Sequence, residues 1–446
     1  MNASLANRLV DDPKPRALHA AFVTIAGADP DRPALLDATS RWTYGELDAA
    51  TDALAARLVG SGIGLGDVIA IMGGRCCGLV VAMVAALKAG AAFAILDPAY
   101  PPRTLVERLA IARPKALLEA DGASATPPAV VDWIVNEASG RVLRIPTSPD
   151  AWAWGDRRPR GRPSVPPDAL AYVAFTSGTT QTPRAVLGEH GPVAHFVDWQ
   201  SRRFGLGPDD RFCLLAGLSH DPLLRDVFTP LSLGAELLIP EPGRLLDGLG
   251  RWLAAAAATV AHLTPSLATV LCEEGVPAPA LRWVFFGGDR LTATLLSRMG
   301  GIATGARLVN FYGATETPQA TAYWVVDEQH PPSGPVPIGR GIDGVQLLVL
   351  DDDGKPCETG TVGQIHVRTR HLARGYLGDD AATLAHFVVN PLARRADDRL
   401  FRSGDLGRVL PNGDVVFIGR SDAQLKVRGF RVEPDAVEDV VRTHPG

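Results

Sequence analysis

The chain has 446 residues, of which 46% are apolar and 21% charged, and its formal net charge is −5. Such a length buries a large core and exceeds what one lobe normally organises, and the balance of residues excludes a disordered or fibrous chain. A mildly acidic chain with no basic tract gathered on one face is a poor nucleic-acid binder, so no nucleic-acid partner is expected.

The N-terminal stretch MNASLANRLVDDPKPRALHA holds no uninterrupted apolar core of signal-peptide length. Next, TYGELDAATDALAARLVGSG predicts a helix, DVIAIMG a strand, GLVVAMVAALKAG a helix and AFAIL a strand, an alternation that predicts parallel βαβ units. The apolar run at 78–96 is interrupted by Lys88 and by Ala89-Gly90, so a buried helix followed by a buried strand is expected, with no membrane partner. The glycines of GSGIGLGD, 60–67, precede a strand and lack GxGxxG spacing, which makes them helix terminators. Five cysteines (Cys76, Cys77, Cys213, Cys272 and Cys357) contain no CxxC pair, so neither a zinc site nor a disulfide framework is suggested, and a reducing cytoplasm fits.

Arg157, Arg158, Arg160 and Arg162 lie among prolines and glycines and predict an exposed linker. A second α/β block spans about 171–326, with strands YVAF, AELLIP, VAHL, WVFFG and RLVNF, and with a helical pattern that takes in the alanine run 254–258. From about 335 short strands alternate with turns, and Asp353-Gly354 and Asn412-Gly413 are hairpin signals; this region predicts a β-rich, barrel-like unit.

In YVAFTSGTTQTPRAVLGEH, 172–190, an apolar strand runs into a loop of small hydroxyl residues. Exposed backbone N–H groups and hydroxyls suit an anion, although TSGTT could equally satisfy its own backbone as a turn, and the Walker pattern is absent. Further motifs follow in order with WTYGEL (42–47) and LKAGAAFAILDPAYP (87–101) ahead of it: TSGTTQTPRA (176–185), NFYGATET (310–317), ARGYL (373–377), FRSGDL (401–406) and GRSDAQLKVRGFRVEP (419–434). This series resembles the adenylate-forming superfamily, and more closely the adenylation domains of nonribosomal peptide synthetases, over essentially the whole chain.

The resemblance implies an α/β fold: two α/β subdomains with parallel-rich sheets (about 1–165 and 166–330) and a smaller β-barrel-like subdomain (331–421). Together these make an adenylation core, 1–421, followed by a hinge at Asp422 and the start of a C-terminal lid, 422–446. It also implies a two-step enzyme that uses ATP and Mg²⁺ to convert an α-amino acid to an aminoacyl-adenylate. The acyl group then passes to phosphopantetheine on a carrier (thiolation) domain, in cis or in trans.

By the same resemblance Thr176, Ser177, Gly178, Thr179, Thr180 and Arg184 would hold the β- and γ-phosphates. Thr315 would meet the α-phosphate and Glu316 would place Mg²⁺. Tyr312 would stack on adenine, with Asn310, Gly288 and Asp289 at its edge and Phe311, Gly313 and Ala314 in the same motif. Asp405 would accept from both ribose hydroxyls, with Arg420 nearby. The loop departs from the family's usual glycine, lysine and glycine at Gln181, Arg184 and Ala185; arginine keeps the charge, whereas Gln181 and Ala185 restrict the backbone.

Only 24 residues follow Asp422, so the family's late lid lysine is expected beyond Gly446; Lys426 belongs to the early lid motif. A start at Met1 with no condensation domain ahead suggests an initiation module or a free-standing enzyme. His220 matches an aromatic gate to the pantetheine tunnel, its plainer reading being a packed histidine. The pocket positions are Asp221, Pro222, Arg225, His262, Phe285, Gly287, Phe311, Gln319 and Ala320, with Asp221 facing the substrate α-ammonium.

The HDPxxRDxFTPL pattern is similar to the adenylation region of α-aminoadipate reductases and of some bacterial peptide synthetases. Arg225 and His262 either face a side-chain acceptor, or Arg225 pairs internally, for instance with Asp226, and Phe285 and Phe311 line an apolar pocket. A medium-sized α-amino acid with a hydrogen-bonding side chain is expected. The competing functions are an acyl- or aryl-CoA ligase of the same superfamily, disfavoured by Asp221, and a catalytically silent binding or scaffolding module.

Overall fold

The computed structural model describes residues 15–120, 126–152, 163–176, 183–241, 243–245, 247–327, 332, 334–393, 395 and 398–422, with the backbone of 425–427 and 430–432. The arginine-rich tract 157–162 lies outside the described residues. The chain divides into two compact units, one of Pro15–Phe175 with Ala185–Val260, the other of Thr176–Arg184 with the chain from Ala261 onward.

In the first unit the TYGEL motif starts a helix for a local reason. Thr43 Oγ1 accepts from the Glu46 amide at 3.2 Å and Glu46 Oε2 accepts from the Thr43 amide at 2.7 Å, a reciprocal cap that opens helix Tyr44–Gly60. Strands Val68–Met72 and Ala92–Leu96 pair in parallel around helix Cys77–Lys88, all of whose residues are buried. Gly90, at φ +83°, turns the chain from that helix into the strand, so the membrane-like run is the buried helix and strand that its interruption predicts. No helix among the described residues is long and apolar enough to cross a membrane.

The sheet continues in parallel with Ala116–Glu119 and Arg141–Arg144 on one side and Leu170–Thr176 on the other. A second set runs Arg211–Cys213, Glu236–Leu238, Pro33–Leu36 and Arg41–Thr43, parallel except for the last pair.

Two buried polar features brace this unit. Lys88 Nζ donates to Asp48 Oδ1 at 2.6 Å and to Asp52 Oδ1 at 2.8 Å, and lies 5.3 Å from the Phe22 ring centroid. Burial pulls the Lys88 ammonium pKa down, and the two carboxylates oppose that pull. His190 Nδ1 accepts from the Leu18 amide at 3.2 Å, and burial pulls its pKa down to about 4, so it is a neutral acceptor.

The alanine run departs from expectation: helix Leu249–Ala255 ends inside it. Ala257 adopts φ +47°, and the Ala258 and Thr259 amides donate to Leu253 O and Arg211 O, which draws the chain toward strand Val260–Leu263. The demand for sheet pairing overrides alanine's helix preference.

In the second unit strand Trp283–Phe286 pairs in parallel with Arg307–Ala314, which pairs antiparallel with Thr317–Val325, which in turn pairs with Arg340–Gly341. Beyond it lies a five-stranded antiparallel sheet made of Val345–Leu350, Val362–Thr369, Arg399–Val409, Phe387–Val389 and Val415–Arg420. Asn412-Gly413 forms the expected tight turn, with Gly413 at φ +86°. Asp353-Gly354 turns within the longer connection between the first two strands, where the Asp351 amide donates to Lys355 O. The backbone of Lys426 falls in a separate pair of short strands, Leu425–Val427 and Phe430–Val432.

Candidate active site

Much of the expected site sits on one hairpin. Ala314 pairs with Thr317, so Thr315 and Glu316 form its tip, fastened by the Thr317 hydroxyl, which accepts from the Ala314 amide at 3.1 Å. The ladder shifts register between Tyr312 and Ala314, where the backbone comes so close that a Cβ at Gly313 would lie 2.2 Å from Gln319 O, and Gln319 itself adopts φ +67°. This irregularity falls among the residues assigned to nucleotide and to substrate.

Tyr312 donates its hydroxyl to Asp405 Oδ2 at 2.7 Å, and Arg420 Nη1 donates to Asp405 Oδ1 at 2.6 Å. Asp405 is 3% exposed, and its amide donates to Ser403 Oγ at 3.0 Å. Burial, then the Asp405 charge, push the Tyr312 phenol well above its ordinary pKa, so it stays a donor. The other edge of Arg420 makes a bidentate pair with Asp422, at 2.7 Å to each oxygen. Burial works against the Arg420 charge, but Asp422 and Asp405 together outweigh it and hold the guanidinium more basic than usual. Gly404, at φ +77°, makes room, since a Cβ there would lie 2.8 Å from Arg420 Nη2.

Asn310 is 4% exposed and its side-chain amide donates to Pro337 O at 2.8 Å. Gly288, at φ +87°, follows strand Trp283–Phe286, and Asp289 Oδ1 accepts from the Arg290 amide at 2.7 Å. Glu316 is 1% exposed; its Oε1 accepts from the Tyr376 hydroxyl at 2.7 Å, and its carbonyl accepts from the Ala373 amide at 2.9 Å. Arg184 Nε lies 3.8 Å from Asp379 Oδ2, with its guanidinium 5.5 Å from the Tyr376 ring centroid. Thr176 is half-buried at the end of strand Leu170–Thr176. Ser177, Gly178, Thr179, Thr180 and Gln181 lie outside the described residues.

Three of the pocket residues form an aromatic stack. His262 stacks on Phe285 with centroids 5.1 Å apart, and Phe285 on Phe311 at 5.0 Å; all three are buried, as are Gly287, Gln319 and Ala320.

The remaining pocket positions belong to the other unit. Asp221 precedes helix Pro222–Leu233, whose first residue is the proline that suits an N-terminal turn. Arg225 is 7% exposed and its opposing charges are Asp226, then Asp221; burial nevertheless lowers its pKa. Asp226 Oδ2 accepts from the Leu215 and Ala216 amides, at 3.0 and 2.9 Å.

A Cβ on Gly217 would lie 2.7 Å from His220 Cδ2, so the bend ahead of that ring requires glycine. Burial and then the Arg108 charge disfavour protonated His220. Arg108 donates to Ser219 Oγ at 3.1 Å and lies 4.0 Å from the Tyr100 ring centroid.

Sequence reasoning did not assign Arg108, Tyr376, Asp379 or Ser403. Tyr376 lies within ARGYL, a motif whose tyrosine received no role from the sequence.

A family model described as AMP-binding enzyme matches residues 22–377. L-2-aminoadipate reductase from Schizosaccharomyces pombe is 35% identical over 490 residues, covering 96% of this chain and 34% of that protein. A linear gramicidin synthase from Brevibacillus parabrevis is 33% identical over 442 residues, covering 96% of this chain and 5% of that protein. The chain thus spans about a third or less of these relatives' length. Among solved structures, holo-PA1221, a nonribosomal peptide synthetase protein containing adenylation and PCP domains, superposes with a TM-score of 0.85 at 27% identity, covering 97% of this chain and 73% of that one. The chain belongs to the AMP-binding enzyme family, as an adenylation domain of the nonribosomal peptide synthetase type.

Proposed function

We propose that the chain activates an α-amino acid with ATP. An oxygen of the substrate carboxylate attacks the α-phosphorus, an O–P bond forms, and the bond to pyrophosphate breaks. In the second step the phosphopantetheine thiolate of a carrier domain attacks the acyl carbon and AMP leaves. The observation that carries this reading is the Tyr312–Asp405–Arg420 set: a buried carboxylate held in place by a phenol on one oxygen and a guanidinium on the other, each oxygen keeping a further lone pair with which to accept from a ribose hydroxyl.

In this reading Thr315, at the hairpin tip, meets the α-phosphate, and Asn310, Gly288 and Asp289 border the adenine. Glu316 would hold Mg²⁺. A single carboxylate whose Oε1 is held by the Tyr376 hydroxyl suits an ion that takes one or two carboxylates and completes its shell with nucleotide phosphates and water. When bound, the ion would offset the charge that builds up on the phosphates. Residues 1–421 are the core and Asp422 the hinge of a lid that begins there.

Asp221 would face the α-ammonium. Because Asp226 and Asp221 oppose the Arg225 charge within one unit, we read Arg225 as part of the scaffold and the His262–Phe285–Phe311 stack as a mainly apolar wall. Pyrophosphate exchange over an amino-acid panel tests both claims. Exchange with Leu or Val, exceeding that with L-2-aminoadipate, supports the apolar wall; preference for L-2-aminoadipate returns Arg225 to the substrate. Exchange only with acids lacking an α-amino group removes Asp221 from its role.

A further inference from the structure

The Glu316 carboxylate does not hold its place alone. Its Oε1 accepts from the Tyr376 hydroxyl at 2.7 Å, and both side chains are buried, Glu316 at 1% and Tyr376 at 4% exposure. The tyrosine ring is itself fixed. His386 and Phe387 meet it edge-on with centroids 5.9 and 5.7 Å away, and the Tyr376 amide donates to Thr383 Oγ1 at 3.0 Å. Gly375, at φ +146°, lets the chain pass under Thr383, whose Cγ2 would lie 2.6 Å from any Cβ there.

The Arg184 guanidinium stands 5.5 Å from the same ring and 3.8 Å from Asp379, whose Oδ1 accepts from the Ala382 amide at 2.9 Å and so caps helix Asp380–His386. Arginine, unlike lysine, presents a flat guanidinium to a ring and keeps its charge for a carboxylate.

We propose that Tyr376 is a positioning residue that fixes the Glu316 carboxylate, and that Arg184, through the tyrosine ring and Asp379, helps to hold that position. The inference rests on the reading of Glu316 as the metal-placing residue. A phenol on one carboxylate oxygen selects one side-chain geometry and directs the other oxygen.

The test uses the full chain and three variants. Tyr376→Phe keeps the ring contacts and removes only the hydroxyl. It should lower kcat for pyrophosphate exchange by about tenfold or more, the loss expected for one hydrogen bond to a charged group. The KM for the amino acid should be unchanged and the melting temperature nearly so. Independently of turnover, Mn²⁺ bound beside the β,γ-imido analogue of ATP, read by electron paramagnetic resonance, should be held several-fold more weakly.

Asp379→Asn preserves the helix cap and removes the charge that faces Arg184; it should show the same weakening of Mn²⁺ in smaller measure. Wild-type kcat and Mn²⁺ affinity in Tyr376→Phe, with Glu316→Gln inactive, overturn the positioning role while leaving the Glu316 reading intact. Unchanged Mn²⁺ affinity in Asp379→Asn overturns the Arg184 link. Wild-type exchange and Mn²⁺ affinity in Glu316→Gln remove the reading and, with it, this inference.

Discussion

Lys88 and Arg420 each bridge two carboxylates, one in each unit. Lys88 lies between Asp48 and Asp52, one helical turn apart, and its side chain is 0% exposed. Arg420 joins Asp405, 5% exposed, to Asp422, 42% exposed. In the first cluster the cation is fully buried while Asp48 and Asp52 keep 23% and 12% of their side chains exposed, and both carboxylates pair with that cation. The second spans a gradient from a buried strand residue, Asp405, to the exposed Asp422 just past strand Val415–Arg420. Similar charge counts thus occur in different settings: in one the cation is the most buried member, in the other a carboxylate is, and under the proposed function the second would serve recognition.

Lys88→Met is the harshest way to break the contrast. It strands two acids that are 23% and 12% exposed beside a fully buried side chain and should cost about 3 kcal/mol of stability, the low end for breaking a buried pair, seen as a fall in melting temperature, with activity per folded molecule retained. Should it melt like the wild type, the cluster is not a brace. Asp405→Asn should do the opposite, lowering kcat/KM for ATP by about tenfold to a hundredfold, as expected for a lost charged hydrogen bond of roughly 1.5–3 kcal/mol, with a smaller change in melting temperature. Steady-state kinetics beside calorimetry would separate the two variants.

A third buried group sharpens the comparison through pH. His190 is held neutral, with a folded pKa of about 4 against an ordinary 6.5, so below pH 6.5 the unfolded chain takes up a proton that the native one refuses. Its stabilising neutrality is complete above pH 6.5 and is lost as pH falls toward 4. At pH 5 the loss should reach about 2 kcal/mol. Urea titrations of His190→Gln should show a flatter dependence over that range. The mildest change is Gly404→Ala. It places a Cβ against Arg420 in a left-handed backbone, costs about 1 kcal/mol, and should raise KM for ATP a few-fold as the Asp405 contact is displaced.

Local signals carried much of the fold. The helix Tyr44–Gly60, the break at Ala89-Gly90 and the Asn412-Gly413 turn each rest on neighbours in sequence and were legible there, whereas the reciprocal Thr43–Glu46 cap that opens the helix was not read from it. The end of helix Leu249–Ala255 was not, because Arg211, far back in the chain, receives the Thr259 amide and draws the alanines away. The candidate site divides in the same way. Tyr312, Glu316 and Asp405 stood out as motif members, but the bonds from Tyr312 to Asp405 and from Tyr376 to Glu316 span 93 and 60 residues, and depend on strand register that no single motif encodes. Arg225 was ambiguous because the direction of a long side chain is decided by the acids folded around it.

The hairpin Arg307–Val325 carries Asn310, Tyr312, Thr315 and Glu316, assigned to the nucleotide, along with Phe311, Gln319 and Ala320, assigned to the amino acid, on either side of one register fault. Under the proposed function, selection for a new amino acid that acts on Gln319 or Ala320 would pull on the same ribbon that presents Tyr312 and Glu316, and a gain in choice would be expected to cost turnover. His262 and Phe285 stand on strands of their own, Val260–Leu263 and Trp283–Phe286. Phe285 still touches the hairpin through Phe311 and its strand pairs with Arg307–Ala314, so of the two His262 is the position at which a change would disturb the ribbon least.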